Sequence, residues 1–528
     1  MIAKALISTL ILATCSTASA ASSTWKSEWV YYGKDGKLVY KEDKQGNRIP
    51  DFGGVGYNHG RTPPTVPVVL TLSPTPGDNH QRIQDALEKV AARPLQKNGF
   101  RGTLLLKKGR YEISKTILIN KSGVVLRGEG DSEKGTVLFL TKKESSIGVQ
   151  IRGGRPPREI KNSRVRIDNS YVPVGSKRLL LESVDGLKVG DLISVIRPGT
   201  EQWIHDLKMD QIPPRKDGGK ITQWSAKKYT TRVERSIVKI QGHFIDLDHP
   251  VVMEISNRYG GGFVGKLDKD TRIRHCGLEN LMLKSTFDPS VKSKYKNKEY
   301  FSDQNHGSTA VSVKSAADCW VRNITAKHFG YSAVSLGSGS KYISVLDSNF
   351  IEPVSVITGG RRYAFEINTQ LCLVSGCWAD QARHSFVSPP RASGPNVFTH
   401  CRATHVFSDI GPHQRWSMGY LYDCIQSPDG AINVGDRGSM GSGHGWAGVN
   451  HVFWNCQARG FRVQSPWVTG KNYVIACQGK KLPPYFSKDS PPAIWEDATK
   501  KPLEIESLYE AQQKEWLNHS TTQPAHDH

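Results

Sequence analysis

Short apolar runs bounded by glycine, asparagine or proline recur along most of this 528-residue chain. GTLLLKKGRYEIS, KTILIN and SGVVLRGEG, between residues 102 and 130, read as short strands joined by glycine turns. The rhythm resumes near Arg272 and continues to about Gly479. One strand-and-turn set returns about every 22 to 34 residues, the kind of period that writes a coiled β-solenoid. A helix precedes the strands: from His80 to Arg93 apolar residues fall at helical spacing, and Pro94 ends the run. Helix first and coils afterwards predicts an N-terminal helical cap over the open end of a solenoid.

Residues 1–20 have the form of a signal peptide. Lys4 is the charged start, Ala5 to Ala13 the apolar stretch, and Ala18-Ser19-Ala20 the cleavage site, with the cut expected after Ala20. Lipidation at Cys15 is the alternative, and Thr14 is a poor residue before a lipidated cysteine. No later segment approaches the roughly 20 apolar residues of a membrane span. A secreted or periplasmic monomer without a membrane span is therefore expected. Residues 21–75, polar and rich in Gly and Pro, read as an extended arm, and 76–165 as the helical cap and first coils. Residues 166–265 break the rhythm: LLLESVDGLKVGDLISVI and SIVKIQGHFIDLDHPV read as antiparallel hairpins of an inserted β subdomain. The main coils occupy 266–480. A tail over 481–528 carries a predicted helix around Leu503–Leu517 and ends in STTQPAHDH, expected to be disordered.

Charge adds a direction. The chain holds 71 Lys and Arg against 49 Asp and Glu, a formal +22. An exported protein this basic points to an acidic partner, either a uronic or sulfated polysaccharide or a nucleic acid. Many of its basic residues recur at one point of the repeat. His306, His328, Arg361, Arg362, Arg383, His384, His413, Arg415 and His444 each stand just before or at the start of a strand-like run. Stacked at the ~4.8 Å inter-strand spacing, they would form one basic strip. A strip of that kind suits a linear polyanion, and export favours a glycan over nucleic acid.

Of nine cysteines, eight lie between Cys276 and Cys477. Cys377, Cys401, Cys424, Cys456 and Cys477 share one repeated slot, in SGCWA, THCRA, YDCIQ, WNCQA and IACQG. Asn280, Asn323 and Asn349 take that slot in earlier coils, which reads as a single inward ladder of Asn and then Cys. Parallel side chains favour free thiols there. One cysteine per coil gives no paired metal ligands.

The order of helix, GTLLLKKGRYEIS, SGVVLRGEG and stacked coils with an Asn/Cys ladder resembles the pectin-lyase-like superfamily, over roughly residues 78–480. The stretch GGRRYAF, ARHSFV, GPNVF, GPHQRW, GHGWAG and WNC is similar to an exported bacterial pectate-lyase-like subgroup. The resemblance implies an all-β chain folded as a right-handed parallel β-helix. Lyases, glycoside hydrolases, epimerases and adhesins share that scaffold, so chemistry must be argued from the site. The Asp cluster of calcium-dependent pectate lyases is missing from the sequence. Gly443-His444-Gly445 is present, but the paired Asp residues that precede such a motif in polygalacturonase-like hydrolases are not.

β-Elimination from a uronic acid needs a base, a group that neutralises the carboxylate, and a proton source for the leaving oxygen. Histidine suits the first and third roles because its reference pKa of about 6.5 lies near working pH. Arginine suits the second through its planar fork. His413 or His384 is expected as base, Arg415 or Arg383 as the neutralising group and His444 as proton donor, with Tyr420 and Tyr422 as weaker alternatives. Arg362, Arg437, Trp416, Trp446, His306 and His328 are the expected substrate contacts, the tryptophans by stacking on sugar faces. The expected function is a polysaccharide lyase acting on an acidic polysaccharide. The alternatives are a glycoside hydrolase drawing two carboxylates from Glu352, Glu366, Asp380, Asp409 and Asp436, or a non-catalytic adhesive β-helix. No cofactor is assigned from the sequence, and Ca2+ is left open.

Overall fold

The computed structural model describes residues 24–520. The signal segment and all but the first residue of STTQPAHDH lie outside the described residues. Twenty-nine strands join into one stack in which each coil pairs in parallel with the next. The strand Tyr363–Ile367, for example, pairs with His384–Ser388, and Leu373–Ser375 pairs with Ser393–Thr399. This is a parallel β-helix. Its interior is a continuous apolar column that includes Leu104, Leu138, Val311, Phe365, Phe386, Phe398 and Phe461. The helix His80–Ala91 turns Ile83, Ala86, Leu87 and Val90 into the same column.

The corner of each coil explains the Asn and Cys pattern and corrects it. Asn280, Asn323, Asp347, Gly376, His400, Cys424, Asn455 and Ala476 all adopt left-handed backbone, with φ between 47° and 66°. The strand registers place them on one another, one per rung. Asn, Asp and Gly reach that conformation most cheaply. Asn323 Nδ2 also donates to Asn280 Oδ1 of the neighbouring rung at 3.0 Å. The residue after each corner points inward, giving Cys377, Cys401, Ile425, Cys456 and Cys477 in order. The predicted single ladder is thus two adjacent columns. Cys424 belongs to the corner column, with its thiol toward Glu506 O at 3.3 Å, and Ile425 fills the inward slot. Asn349 is also out of the ladder and pairs instead with Thr325, at 3.2 Å. All eight thiols are free.

Three additions dress the coils. A six-stranded antiparallel sheet lies within Val165–Lys266 and packs on the coils through Trp416, Met418, Trp446 and Val449. A small antiparallel hairpin, Lys292–Tyr295 with Lys298–Phe301, which the apolar pattern does not announce, stands beside the groove. On another face the N-terminal arm and the C-terminal helix Leu508–Ser520 pack together over Leu373, Val397, Leu421, Val452 and Tyr473. Trp25 N–H donates to Pro502 O and Glu504 N–H to Trp25 O, both at 2.8 Å. Phe52 N–H and Gly54 N–H donate to the side chains of Gln512 and Gln513. Asp423, on a coil strand, accepts from Ser507 Oγ, Leu508 N–H and Tyr509 N–H and so caps that helix. Among the described residues no helix is long and apolar enough to cross a membrane.

Candidate active site

The structure gathers part of the basic column into one cluster. His384 begins the strand His384–Ser388, His413 follows Asp409–Pro412 and His444 sits in the Gly443–Gly445 turn. Ring centroids are 4.5 Å apart for His384 and His413 and 5.1 Å for His413 and His444. Tyr363, absent from the sequence expectation, completes the group at 4.8 Å from His384 and 5.4 Å from His413. Its signal was its register, because Tyr363 lies opposite His384 on the preceding rung.

The cluster is layered. His384 is sealed at 1% exposure and Asp409 lies beside it. His384 Nδ1–H donates to the Asp409 main-chain O at 3.1 Å and lies 2.8 Å from Asp409 Oδ1, while Asp409 Oδ2 accepts from Asn433 Nδ2 at 2.9 Å and Arg437 Nη2 at 2.7 Å. Burial opposes ionisation of Asp409, but Arg437 and His384 outweigh it and hold the carboxyl well below the usual range. His413 and Tyr363 form the floor at 7% and 8% exposure, and His444, Arg383 and Arg415 are half-buried at the rim. Arg415 donates to Ser442 O and Oγ, and Arg383 to Gly359 O. Among the described residues no carboxylate pairs with either guanidinium.

All three imidazoles are kept neutral. Burial, reinforced by His384 and Arg437, holds His413 far below its ordinary value. Burial with Arg437, Arg415 and Arg383 pushes His444 down to about 4. His384 is lowered mainly by burial. Tyr363 goes the other way: burial raises it, while the neighbouring Arg383 works to bring it down. At neutral pH the site therefore offers neutral imidazole lone pairs, a protonated phenol and unpaired guanidinium groups. His444 carries no second proton in this state, whereas Tyr363 keeps its phenolic proton.

Several expected contacts lie elsewhere. Trp416 and Trp446 are 3% and 0% exposed, walled in by the inserted sheet, and offer no face to a sugar. Tyr420 and Tyr422 are core residues. His306 is buried and donates from Nε2 toward Val354 O at 2.9 Å, a structural role at a turn. Arg437 serves Asp409 rather than the rim. His328 and Arg362 line a separate cleft next to the cluster, with His328 Nε2 3.4 Å from Glu352.

The carboxylate pool is dispersed. Glu352 pairs with Lys327, Asp380 bonds Thr404 and His405, Glu366 is held by Tyr331 and Ser335, and Asp436 is buried against Ser487. Calcium takes six to eight oxygen ligands. The cluster's one carboxylate already has its oxygens bonded to His384, Asn433 and Arg437 among imidazoles and guanidiniums, so these residues do not suit that ion.

No protein-family model matches the sequence, and no curated protein matches it. The solved structures similar to this chain include two bacteriophage tailspikes and a pectate lyase. The first is the Gp54 tailspike of Acinetobacter baumannii bacteriophage AP22, in complex with A. baumannii capsular saccharide: 9% identity, TM-score 0.34, 76% of this chain covered. This chain spans only 62% of that one's length. The second is pectate lyase Pel9A, at 10% identity and TM-score 0.38, covering 79% of this chain and 78% of that one. The third is a tailspike protein mutant of E. coli bacteriophage HK620 in complex with a pentasaccharide, at 10% identity and TM-score 0.39, covering 90% and 70%. At this distance the similarity assigns no activity, and the chemistry rests on the cluster.

Proposed function

We propose that this protein is an exported polysaccharide lyase that cleaves a uronic-acid-containing polysaccharide by β-elimination. Arg383 and Arg415 bind the uronate carboxylate and draw off its charge, which acidifies the adjacent C5–H. A neutral imidazole nitrogen of His413 takes that proton. The electron pair forms the C4–C5 double bond as the C4–O bond breaks, and the Tyr363 hydroxyl gives its proton to the departing oxygen. His413, now protonated and 5.4 Å from Tyr363 by ring centroids, returns a proton to the phenolate and closes the cycle without consuming water. His384 does not touch substrate. Held by Asp409, it packs against His413 and sets its position.

The observation that carries this reading is the pairing of neutral imidazoles with unpaired guanidiniums around a tyrosine, with Asp409 locked in a salt bridge to Arg437. A hydrolase needs two available carboxylates about 5–10 Å apart, and the dispersed pool weighs against one. The test is an ultraviolet screen of residues 21–528 against acidic polysaccharides, alongside His413→Ala. Rising absorbance that the substitution abolishes supports elimination. New reducing ends without absorbance would replace the lyase by a hydrolase, and neither signal across a broad panel would leave a binding protein.

A further inference from the structure

The hairpin Lys292–Tyr295 and Lys298–Phe301 does not simply decorate the coils. Tyr295 packs edge-on against Phe407 at 5.1 Å. The Tyr300 hydroxyl accepts from Ile357 N–H at 3.4 Å. Beneath the hairpin lies a cleft of about 370 Å3, with Phe287, Tyr300 and Phe301 as aromatic walls, Lys292 and Arg362 as cations, and His328, whose pKa burial lowers, beside them.

Arg362 is the unusual member. It is 1% exposed, yet its guanidinium bonds only neutral oxygens: Ser355 O at 2.9 Å, Ser355 Oγ at 3.3 Å and Gln381 O at 3.4 Å. The rings of Tyr300 and Phe407 face it at 5.4 and 5.5 Å. Among the described residues no carboxylate pairs with it. The two acids in the cleft are engaged, Glu352 by Lys327 at 3.0 Å and Glu299 by Lys292 at 3.6 Å. Burial accordingly pushes Arg362 down to about 10. A buried cation met only by neutral oxygens and ring faces is an incomplete site, and an anion completes it.

The cleft adjoins the catalytic cluster. Arg362 O accepts from Arg383 N–H at 2.9 Å and His384 N–H at 3.1 Å, and Tyr363 is the next residue. We propose that the hairpin cleft is a second subsite, holding an anionic sugar of the same polysaccharide with its ring on Phe287 and Tyr300 and its carboxylate or sulfate toward Arg362 and Lys292. The continuity of the chain from cluster to cleft rests on the reading under Proposed function, whereas the anion preference of the cleft does not.

The test is calorimetric binding of oligogalacturonates and chondroitin sulfate oligosaccharides, two to eight residues long, to the full chain carrying His413→Ala. The same titrations are then repeated with Lys292→Ala and Phe301→Ala added; both side chains sit on the exposed hairpin. The expected result is a tenfold or greater loss of affinity for octasaccharides and less than a twofold change for disaccharides. Preference for one series tells carboxylate from sulfate. Loss independent of length, no loss, or no binding of either series overturns the subsite. If unsaturated product is never formed by the unsubstituted protein but octasaccharide affinity still depends on Lys292 and Phe301, elimination falls and the subsite stands.

Discussion

Replacing Asp409 by Asn tests the electrostatic floor of the cluster. The carboxylate is 5% exposed and lies 2.7 Å from Arg437. At that distance, with an effective dielectric near 20, Coulomb attraction is about 6 kcal/mol, much of it offset by desolvation of both charges. Removing one partner strands the other, and losses of about 3–5 kcal/mol are typical of buried pairs. Asp409→Asn should therefore cost about that much in urea unfolding, while Asp409→Asn with Arg437→Met should recover more than half of it. Turnover should fall in the single variant, because His384 loses the carboxylate charge beside Nδ1 even though the main-chain O at 409 still accepts from it. A loss under about 1 kcal/mol, or a double variant no better than the single, would refute the argument that the buried charge pair organises this floor.

Tyr363→Phe should lower kcat by about 10² to 10⁴ and leave KM within a few-fold; unchanged turnover in steady-state assays would remove Tyr363 as proton donor. Cys424→Asn should be neutral or slightly stabilising, since Asn suits the left-handed corner, whereas Cys401→Asn should cost at least about 2 kcal/mol by burying an unmet amide. Equal melting shifts for the two would return Cys424 to the inward ladder. The fold should weaken on acidification from about pH 6.5. Folded His444 and His451 protonate only near 4 and 3, and burial also lowers His249 and His413, so the unfolded chain binds protons first. Each contributes a loss of up to about 1.4 kcal/mol per pH unit between about 6.5 and its folded value. Asp423, raised to about 6 by burial, offsets part of this. The melting temperature at pH 5 should thus lie below that at pH 7, and equality would contradict it.

The coils were legible in the sequence because a solenoid repeats its turns, and a turn states its needs locally. The recurring basic residues before strands likewise brought His384, His413 and His444 to one place. Finer register was not legible. YDCIQ and THCRA align by their cysteines, but Asp423 pairs with Thr399, so Cys424 sits opposite His400 and Ile425 opposite Cys401. Burial was the second blind spot. Trp416 and Trp446 stand close to the histidines in sequence, and only the distant Val165–Lys266 insertion decides that they are walled in. Tyr363 was not singled out from the sequence because its partners, His384 and His413, arrive from two later coils.

The meeting of the arm with the final helix has a consequence for how the molecule comes apart. A stack in which each coil touches only its neighbours can fray rung by rung from an end. Here the N-terminal arm is laced to the Leu508–Ser520 helix across more than 450 positions of sequence, as in Phe52 to Gln512 with a separation of 460. The lacing runs along the side of several coils, so the last rungs cannot peel without freeing the arm as well. It also cannot form until the Leu508–Ser520 helix has been synthesised. The protein is therefore built to be assembled progressively and dismantled all at once, a zipper whose two ends are buttoned to each other.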